Sequence, residues 1–338
     1  MKAVRVFSQG GAAALQLGDE ALPELGRRDV LIKVHAASLN FRDTIIAKGT
    51  YPGPLASNVV PVSDGAGEVT AIGTDVTRVK VGDRVTANCS CDWVAGPMMA
   101  EYRANSLGTT IDGMLAEFVR VDERAVVHLP DSLSYIDAAT LPCAAVSAWS
   151  ALHVTAPLLP GQTVLIQGSG GVSLFGLQIA RMFGARAFAL TSSQEKADRL
   201  LALGAEAVVN YRETPDWENS ILELTDGKGV HKVIEIGGAQ TINHSIACTR
   251  LGGEIGLVGY VTGMGGGIPP IAIQMRSVTI KAISIGPRLS FEALLEAMRA
   301  TGTRPVVDSV FGFSRFREAL GHLESGHHFG KVVLDMTG

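Results

Sequence analysis

Short runs in which apolar and polar positions alternate dominate the first third of the chain. Ala3–Phe7, Val30–Ala36, Gly67–Ile72, Arg84–Ala87 and Ala116–Val121 are rich in β-formers and bounded by Gly, Pro, Asp and Asn. They predict short strands in a compact β domain rather than βαβ units. Past Pro130 the pattern changes. Ser134–Leu152 is Ala-rich and predicts helix, which Pro142 must break or kink, because proline lacks an amide hydrogen and crowds the preceding turn. Strands then alternate with helices: Val164–Gln167 strand, Val172–Phe183 helix, Ala187–Thr191 strand, Gln194–Leu203 helix, Ala207–Asn210 strand, Trp217–Thr225 helix. Strands at Val233–Ile236 and Glu254–Val258 follow, then the glycine-rich loop Gly263–Ile268 and a strand at Val278–Ile285. Such alternation implies an α/β fold with a parallel, doubly wound sheet. The tail returns to short strands, Pro305–Phe311 and Lys331–Met336, around a helix at Ser314–Ser325, and is placed back on the β domain. The expected organisation is a β domain from 1–122 and 303–338 and a doubly wound domain from 123–302.

The size agrees, since 338 residues exceed what one hydrophobic core usually spans. A net charge of −4, from 29 basic and 33 acidic residues spread along the chain, offers no basic stripe for nucleic acid. Cys89, Cys91, Cys143 and Cys248 are too scattered for a disulfide framework, and the opening MKAVRVFS is no apolar signal segment, so a cytoplasmic protein is expected. Thr163–Ala180 carries no charge, but Gly168, Gly170 and Gly171 interrupt it, whereas a spanning helix needs about 20 predominantly apolar residues. A strand, a glycine turn and a helix explain it better than a membrane span.

That turn is the strongest local signal for chemistry. Val164–Gln167 run directly into Gly168-Ser169-Gly170-Gly171-Val172-Ser173. In a dinucleotide-binding turn the first glycine makes the bend and the second lets the backbone approach a pyrophosphate, which the unpaired N–H groups of the helix N-terminus hold. Gly168 and Gly170 fill those places, while Ser173 stands where the motif has its third glycine. An NAD-binding chain usually carries Asp or Glu at the end of the second strand for the ribose 2′-hydroxyl. Here that strand ends Thr191-Ser192-Ser193, with Lys196 close behind, a set suited to a 2′-phosphate and hence to NADPH. The plainer alternative for Lys196 is a solvated helix face. Gly259, just past the strand Glu254–Val258, joins the candidate cofactor residues.

Over essentially the whole chain the order of parts resembles the medium-chain dehydrogenase/reductase family. The stretches that carry the resemblance are Asn40-Phe41-Arg42-Asp43 with Gly49-Thr50-Tyr51-Pro52, Asp64–Val69, Val81–Val85, Leu141-Pro142-Cys143 and Gly168–Val172. Together they look most like the zinc-free quinone oxidoreductase branch. The resemblance implies a GroES-like β domain beside a Rossmann domain, and an aromatic residue near the adenosine at Tyr211. It also implies a missing metal site. Matched motif by motif, the family's three zinc-ligand places fall on Asn40, Ser63 and Cys143, of which only Cys143 is a competent ligand, and Asp64 matches the acidic neighbour of the second. No metal is expected.

Without a Lewis acid, hydride adds most readily to an electrophile already activated by conjugation, such as a quinone or an α,β-unsaturated carbonyl, with donors holding the developing oxyanion. Candidate residues are Asn40, Arg42, Asp43, Tyr51 and Asp64, with Trp93 as an aromatic wall. Asn40 and Asp43 equally suit the cap of a short helix, and Tyr51 beside Pro52 suits turn packing. The expected function is therefore NADPH-dependent reduction of a small-molecule electrophile. The alternatives are a zinc-free alcohol/ketone dehydrogenase and a non-catalytic NADPH-binding structural or sensor protein. A homodimer is expected through the edge of the strand Val278–Ile285.

Overall fold

The computed structural model describes residues 1–7 and 11–337. They divide into two units, 1–146 with 286–338, and 147–285. In the first, β1 (Lys2–Val6) and β2 (Leu15–Asp19) form an antiparallel ribbon. The long strand β3 (Asp29–Leu39) then organises a larger sheet. Helix α1 (Phe41–Ala47) leaves its end, and β4 (Asp64–Ile72) returns antiparallel along one of its edges. β5 (Arg84–Ala87) extends the sheet from β4, while β6 (Phe118–Asp122) covers the first half of the other edge of β3. β7 (Val126–His128) pairs with β5. The Ala-rich run that follows is broken as Pro142 demands: α2 (Tyr135–Ala139), a π-helical turn at Leu141–Ala145, then α3 (Val146–Leu152).

In the second unit β8 (Thr163–Gln167) is buried at every position, as a strand covered on both faces must be. It is joined by β9 (Arg186–Thr191), β10 (Ala207–Asn210), β11 (Val230–Glu235), β12 (Thr249–Leu257) and β13 (Thr279–Ala282). All pair in parallel, in the order β10-β9-β8-β11-β12-β13. The chain direction of the order reverses between β8 and β11, which is where doubly wound sheets bind ligands, beyond the strands' carboxyl ends. The crossovers carry α4 (Gly171–Met182), α5 (Gln194–Ala202), α6 (Trp217–Leu224), α7 (Ile242–Cys248) and α8 (Pro270–Arg276). Leu165, Phe188, Ile221, Val233 and Ile255 lie in the core on one side of this sheet. β13 is shorter than the expected Val278–Ile285 and sits at the sheet edge.

The chain returns to the first unit with α9 (Arg288–Thr301), β14 (Val307–Gly312), α10 (Phe316–Ser325) and β15 (Lys331–Asp335). β15 pairs in parallel with β14 and antiparallel with Ala36–Leu39, the half of β3 that β6 leaves free. The two units divide at 146 and 286, where the sequence pattern placed the limits at 122 and 303. β7 and α2 belong to the β sheet by pairing and packing, and α9 is tied to the same unit by Arg288 N–H to Trp93 O and by the Arg78–Glu292 ion pair. Among the described residues no helix is long and apolar enough to cross a membrane.

Candidate active site

The end of β3, the start of α1, the start of β4 and the start of β15 bring one group of buried polar side chains together in the first unit. Asp64 is wholly buried. Its Oδ1 accepts from the Ser63 hydroxyl at 2.6 Å and from the Cys89 thiol at 3.6 Å, and its Oδ2 accepts from the Cys143 N–H at 3.1 Å. The Lys331 ammonium lies 3.9 Å from the same carboxylate. Lys331 Nζ also donates to Leu39 O and to Asn40 Oδ1, each at 2.6 Å. Burial, the Cys143 thiol and the Asp64 charge together push the Cys89 thiol well above its ordinary range, so Cys89 is a protonated donor here.

α1 begins at this group. Asn40 and Asp43 form a capping box: Asp43 Oδ2 accepts the Asn40 N–H at 2.7 Å, and the Asn40 side chain, which faces the Asp43 N–H, also accepts from Lys331. Burial raises the Asp43 carboxyl to about 6 against the pull of the Arg42 charge. Arg42 Nη2 donates to Leu107 O at 2.8 Å, and its charge is felt at Cys143, Cys89, Asp43 and Tyr51. Three buried atoms here have no hydrogen-bond partner among the described residues: Asn40 Nδ2, Arg42 Nε and Asp43 Oδ1. Orphaned polar atoms are rare in protein interiors and concentrate where a ligand or ordered water completes them.

Of the remaining candidates in this unit, Tyr51 is half-buried with its ring lying on Gly53, whose Cβ, were there one, would come within 2.7 Å of it. Trp93 is buried, its indole N–H is used by Gly96 O at 3.0 Å, and its ring stacks on Tyr102.

In the second unit the glycine turn has the form a pyrophosphate needs. Gly168 adopts φ +74°, a region that disfavours side chains, and its N–H bonds Leu190 O at 2.8 Å. Gly170 caps α4, and Gly171 and Val172 are its first residues, so their N–H groups are free of helical partners. Ser169 is buried within the turn. Ser173 Oγ donates to Gln167 O at 2.5 Å and tightens the bend, while the close helix–strand approach of the motif's third glycine falls to Gly176, where a Cβ would press within 2.4 Å of Ile234. Gly259 follows β12 with no room for a side chain: a Cβ there would sit 2.6 Å from Ile236 O.

Beneath the turn lies a buried network that joins β8 to β11. Glu235 Oε1 accepts from Gly237 N–H and Gly238 N–H at 2.9 Å and from the Thr241 hydroxyl at 2.5 Å. Its Oε2 accepts from Gln167 Nε2 at 2.7 Å and the Ser245 hydroxyl at 2.5 Å. Gln167 Oε1 in turn accepts the Ile236 and Gly237 N–H groups. At the end of β9, Ser193 caps α5 by accepting the Lys196 N–H, with Ser192 and Lys196 half-buried beside it and Tyr211 exposed at the end of β10. No acidic residue occurs from Thr191 to Gln194.

Comparison with known proteins agrees with both halves. Residues 26–131 match the alcohol dehydrogenase GroES-like domain and residues 171–300 the zinc-binding dehydrogenase domain. The chain is 40% identical to a zinc-type alcohol dehydrogenase-like protein of Schizosaccharomyces pombe, over 93% of each. It is 32% identical to a quinone oxidoreductase of Pongo abelii, covering 99% of this chain and 97% of the relative. The chain belongs to the medium-chain dehydrogenase/reductase family. Within it, the protein is quinone oxidoreductase-like, with a GroES-like domain and a Rossmann domain, and it is an oxidoreductase. An alcohol dehydrogenase candidate from Sinorhizobium meliloti 1021 superposes with TM-score 0.91 at 36% identity, covering 99% of both chains. A mycobacterial protein solved in complex with NADPH superposes at 0.85 with 28% identity, covering 99% of this chain and all of its own.

Of the residues singled out in the sequence, Asn40, Arg42, Asp43 and Asp64 are gathered by the fold into one group. Lys331, Cys89, Gln167 and Glu235, which were not among those candidates, join the buried networks of the two units. Polar residues inside otherwise apolar strands, Gln167 in TVLIQ and Lys331 in KVVLD, were the available signal.

Proposed function

We propose that this chain reduces a quinone or an α,β-unsaturated carbonyl with NADPH and does so without zinc. The observation that carries the reading is the Asn40 amide, its oxygen held by Lys331 and its buried Nδ2 unpartnered, at the place where the family's zinc enzymes have a cysteine ligand. Zinc requires thiolate, imidazole or carboxylate donors. Asn40 offers an amide, Ser63 a hydroxyl already donated to Asp64, and the ammonium of Lys331 is a fixed cation beside Asn40 and Asp64. That set does not fit a catalytic zinc. It does suit an oxygen that gains negative charge, because N–H donors fixed in a water-poor place stabilise an enolate as it forms. The cofactor would supply the hydride, and Gly168–Val172 and Gly259 would leave room for its backbone approach. Tyr51 stays a candidate for contact with the electrophile.

The test is a comparison of an enone, a quinone and a secondary alcohol at matched concentration. Reduction of either conjugated substrate outpacing alcohol oxidation is expected, with activity that survives chelation. Faster alcohol oxidation would favour the second reading, an alcohol or ketone dehydrogenase, which the names of several relatives support.

NADPH preference rests on Ser192, Ser193 and Lys196 and on the lack of an acid at the end of β9. A charge-assisted hydrogen bond contributes roughly 1.5–3 kcal/mol, so Lys196→Ala should weaken NADPH by roughly tenfold to a hundredfold and leave NADH nearly unchanged. Equal losses for the two cofactors would refute the assignment. The protein is also proposed to be a homodimer joined edge to edge along β13, which ends the sheet and follows a helix with Ile271 and Met275 exposed. Its mass in solution at micromolar concentration should be that of two chains, and a monomer would count against the arrangement.

A further inference from the structure

We infer that Lys331 is a positioning residue: it locks the Asn40 amide so that Nδ2, and not Oδ1, is the atom left to donate an N–H to the substrate oxygen. This rests on the reductase reading above and adds a residue to it. A primary amide can in principle sit either way round, with its oxygen or its NH2 toward a given neighbour. An ammonium only donates. The Asn40 atom 2.6 Å from Lys331 Nζ must therefore be Oδ1, and Nδ2 must face the other way, where it is buried without a partner. Asn40 is 9% exposed, so the choice is made inside the protein and not by solvent.

The lock is itself rigid. Lys331 is 3% exposed; two of its N–H groups donate to Leu39 O and Asn40 Oδ1, and its charge faces the Asp64 carboxylate at 3.9 Å. Its place on the chain is fixed by strand pairing, since the next residue, Val332, is in register with Leu39. The preceding Gly330 has φ +102° and lies against Val306 O, where a Cβ would come within 2.3 Å. A positive charge behind the amide oxygen also polarises the amide and makes its N–H groups stronger donors. Both effects favour the transition state, in which the substrate oxygen carries most charge, over the ground state.

The expected consequence is a split between turnover and binding. Removing one oxyanion donor typically costs about 10²–10³ in kcat, so loosening it through Lys331→Met should cost roughly tenfold to a hundredfold. KM for the electrophile should stay within about twofold, the signature of an interaction made in the transition state. The decisive measurement is a double-mutant cycle with Asn40→Ala. Once the amide is gone, Lys331→Met should lower kcat no further. Equal proportional losses with and without the amide would assign Lys331 to balancing the Asp64 charge and overturn the inference. A second cycle on an Asp64→Asn background leaves no buried carboxylate unpaired when Lys331 is removed, and it decides the matter should the first variants fail to fold. The wild-type substrate comparison is read separately: a wild-type protein that reduces neither enone nor quinone defeats the functional reading, whereas additive losses in an active enzyme defeat only the role of Lys331.

Discussion

Glu235→Ala should lower the stability of the Rossmann unit by about 2–4 kcal/mol, because several buried donors lose an acceptor at once and a group left wholly unpaired costs about 1–3 kcal/mol. The donors are Gly237 N–H, Gly238 N–H, the Thr241 and Ser245 hydroxyls and the Gln167 amide. The Thr241 hydroxyl can turn to Gly238 O, Gln167 Nε2 keeps Ser245 Oγ and Gly237 N–H keeps Gln167 Oε1 at 3.2 Å, but Gly238 N–H is left without an acceptor among the described residues. Glu235→Gln keeps one acceptor oxygen, best placed toward Gly237, Gly238 and Thr241, and sets its new NH2 against Gln167 Nε2. Gln167 cannot flip to relieve that contact, since its Oε1 already accepts from Ile236 and Gly237. The glutamine variant should therefore fall between wild type and alanine. Urea unfolding followed by tryptophan fluorescence tests this, with Trp149 and Trp217 in the affected unit and Trp93 in the other. An alanine variant within about 1 kcal/mol of wild type, the scale of an ordinary substitution, would mean the network is not what holds the turn.

The same network shows why some of this protein is legible in its sequence and some is not. Local signals survive folding. The run TVLIQ into Gly168-Ser169-Gly170 specifies strand, bend and helix within a dozen positions, and β9, α5 and α6 begin and end within a residue or two of where periodicity and capping put them. Pro142 breaks its helix because the cause is steric and adjacent. α7 and α8 escape notice because seven residues hold barely two turns, too few for a clear 3.6-residue stripe, and INHSIAC favours no one structure. The domain limits escape for a different reason: whether β7 or α9 joins one unit or the other depends on pairing partners remote in sequence. Site chemistry follows that division. Asn40, Arg42, Asp43 and Asp64 stand in short motifs, but the residue that orients Asn40 lies 291 positions away, and Glu235 meets Gln167 across 68. Only the oddness of a lysine in KVVLD, a strand with three apolar residues in a row, points to Lys331 from the sequence.

Asp43 shows how such a site trades stability for its arrangement, and the sign of its pH dependence follows from burial. In the unfolded chain its carboxyl titrates near the ordinary 3.8, while in the folded protein burial holds it at about 6. A carboxyl with a raised folded pKa binds its proton more tightly in the native state, so its contribution to stability is fully present below the unfolded value. It fades as pH climbs through about 6. The gap between 3.8 and about 6 corresponds to about 3 kcal/mol over the whole range, and roughly half of that falls between about pH 5 and pH 8. Asp43→Asn is neutral throughout, keeps an oxygen for the Asn40 N–H, and should remove this dependence. The variant should thus gain on wild type as pH rises, by about 1.5 kcal/mol between those limits, with the two curves converging toward acid. Denaturation of both proteins across that range measures the difference directly, and titrations shared by wild type and variant cancel from it. A difference that stays flat, or that grows toward acid, would show that Asp43 is ionised at neutral pH at no cost, and that the charge of Arg42 rather than burial governs the start of α1.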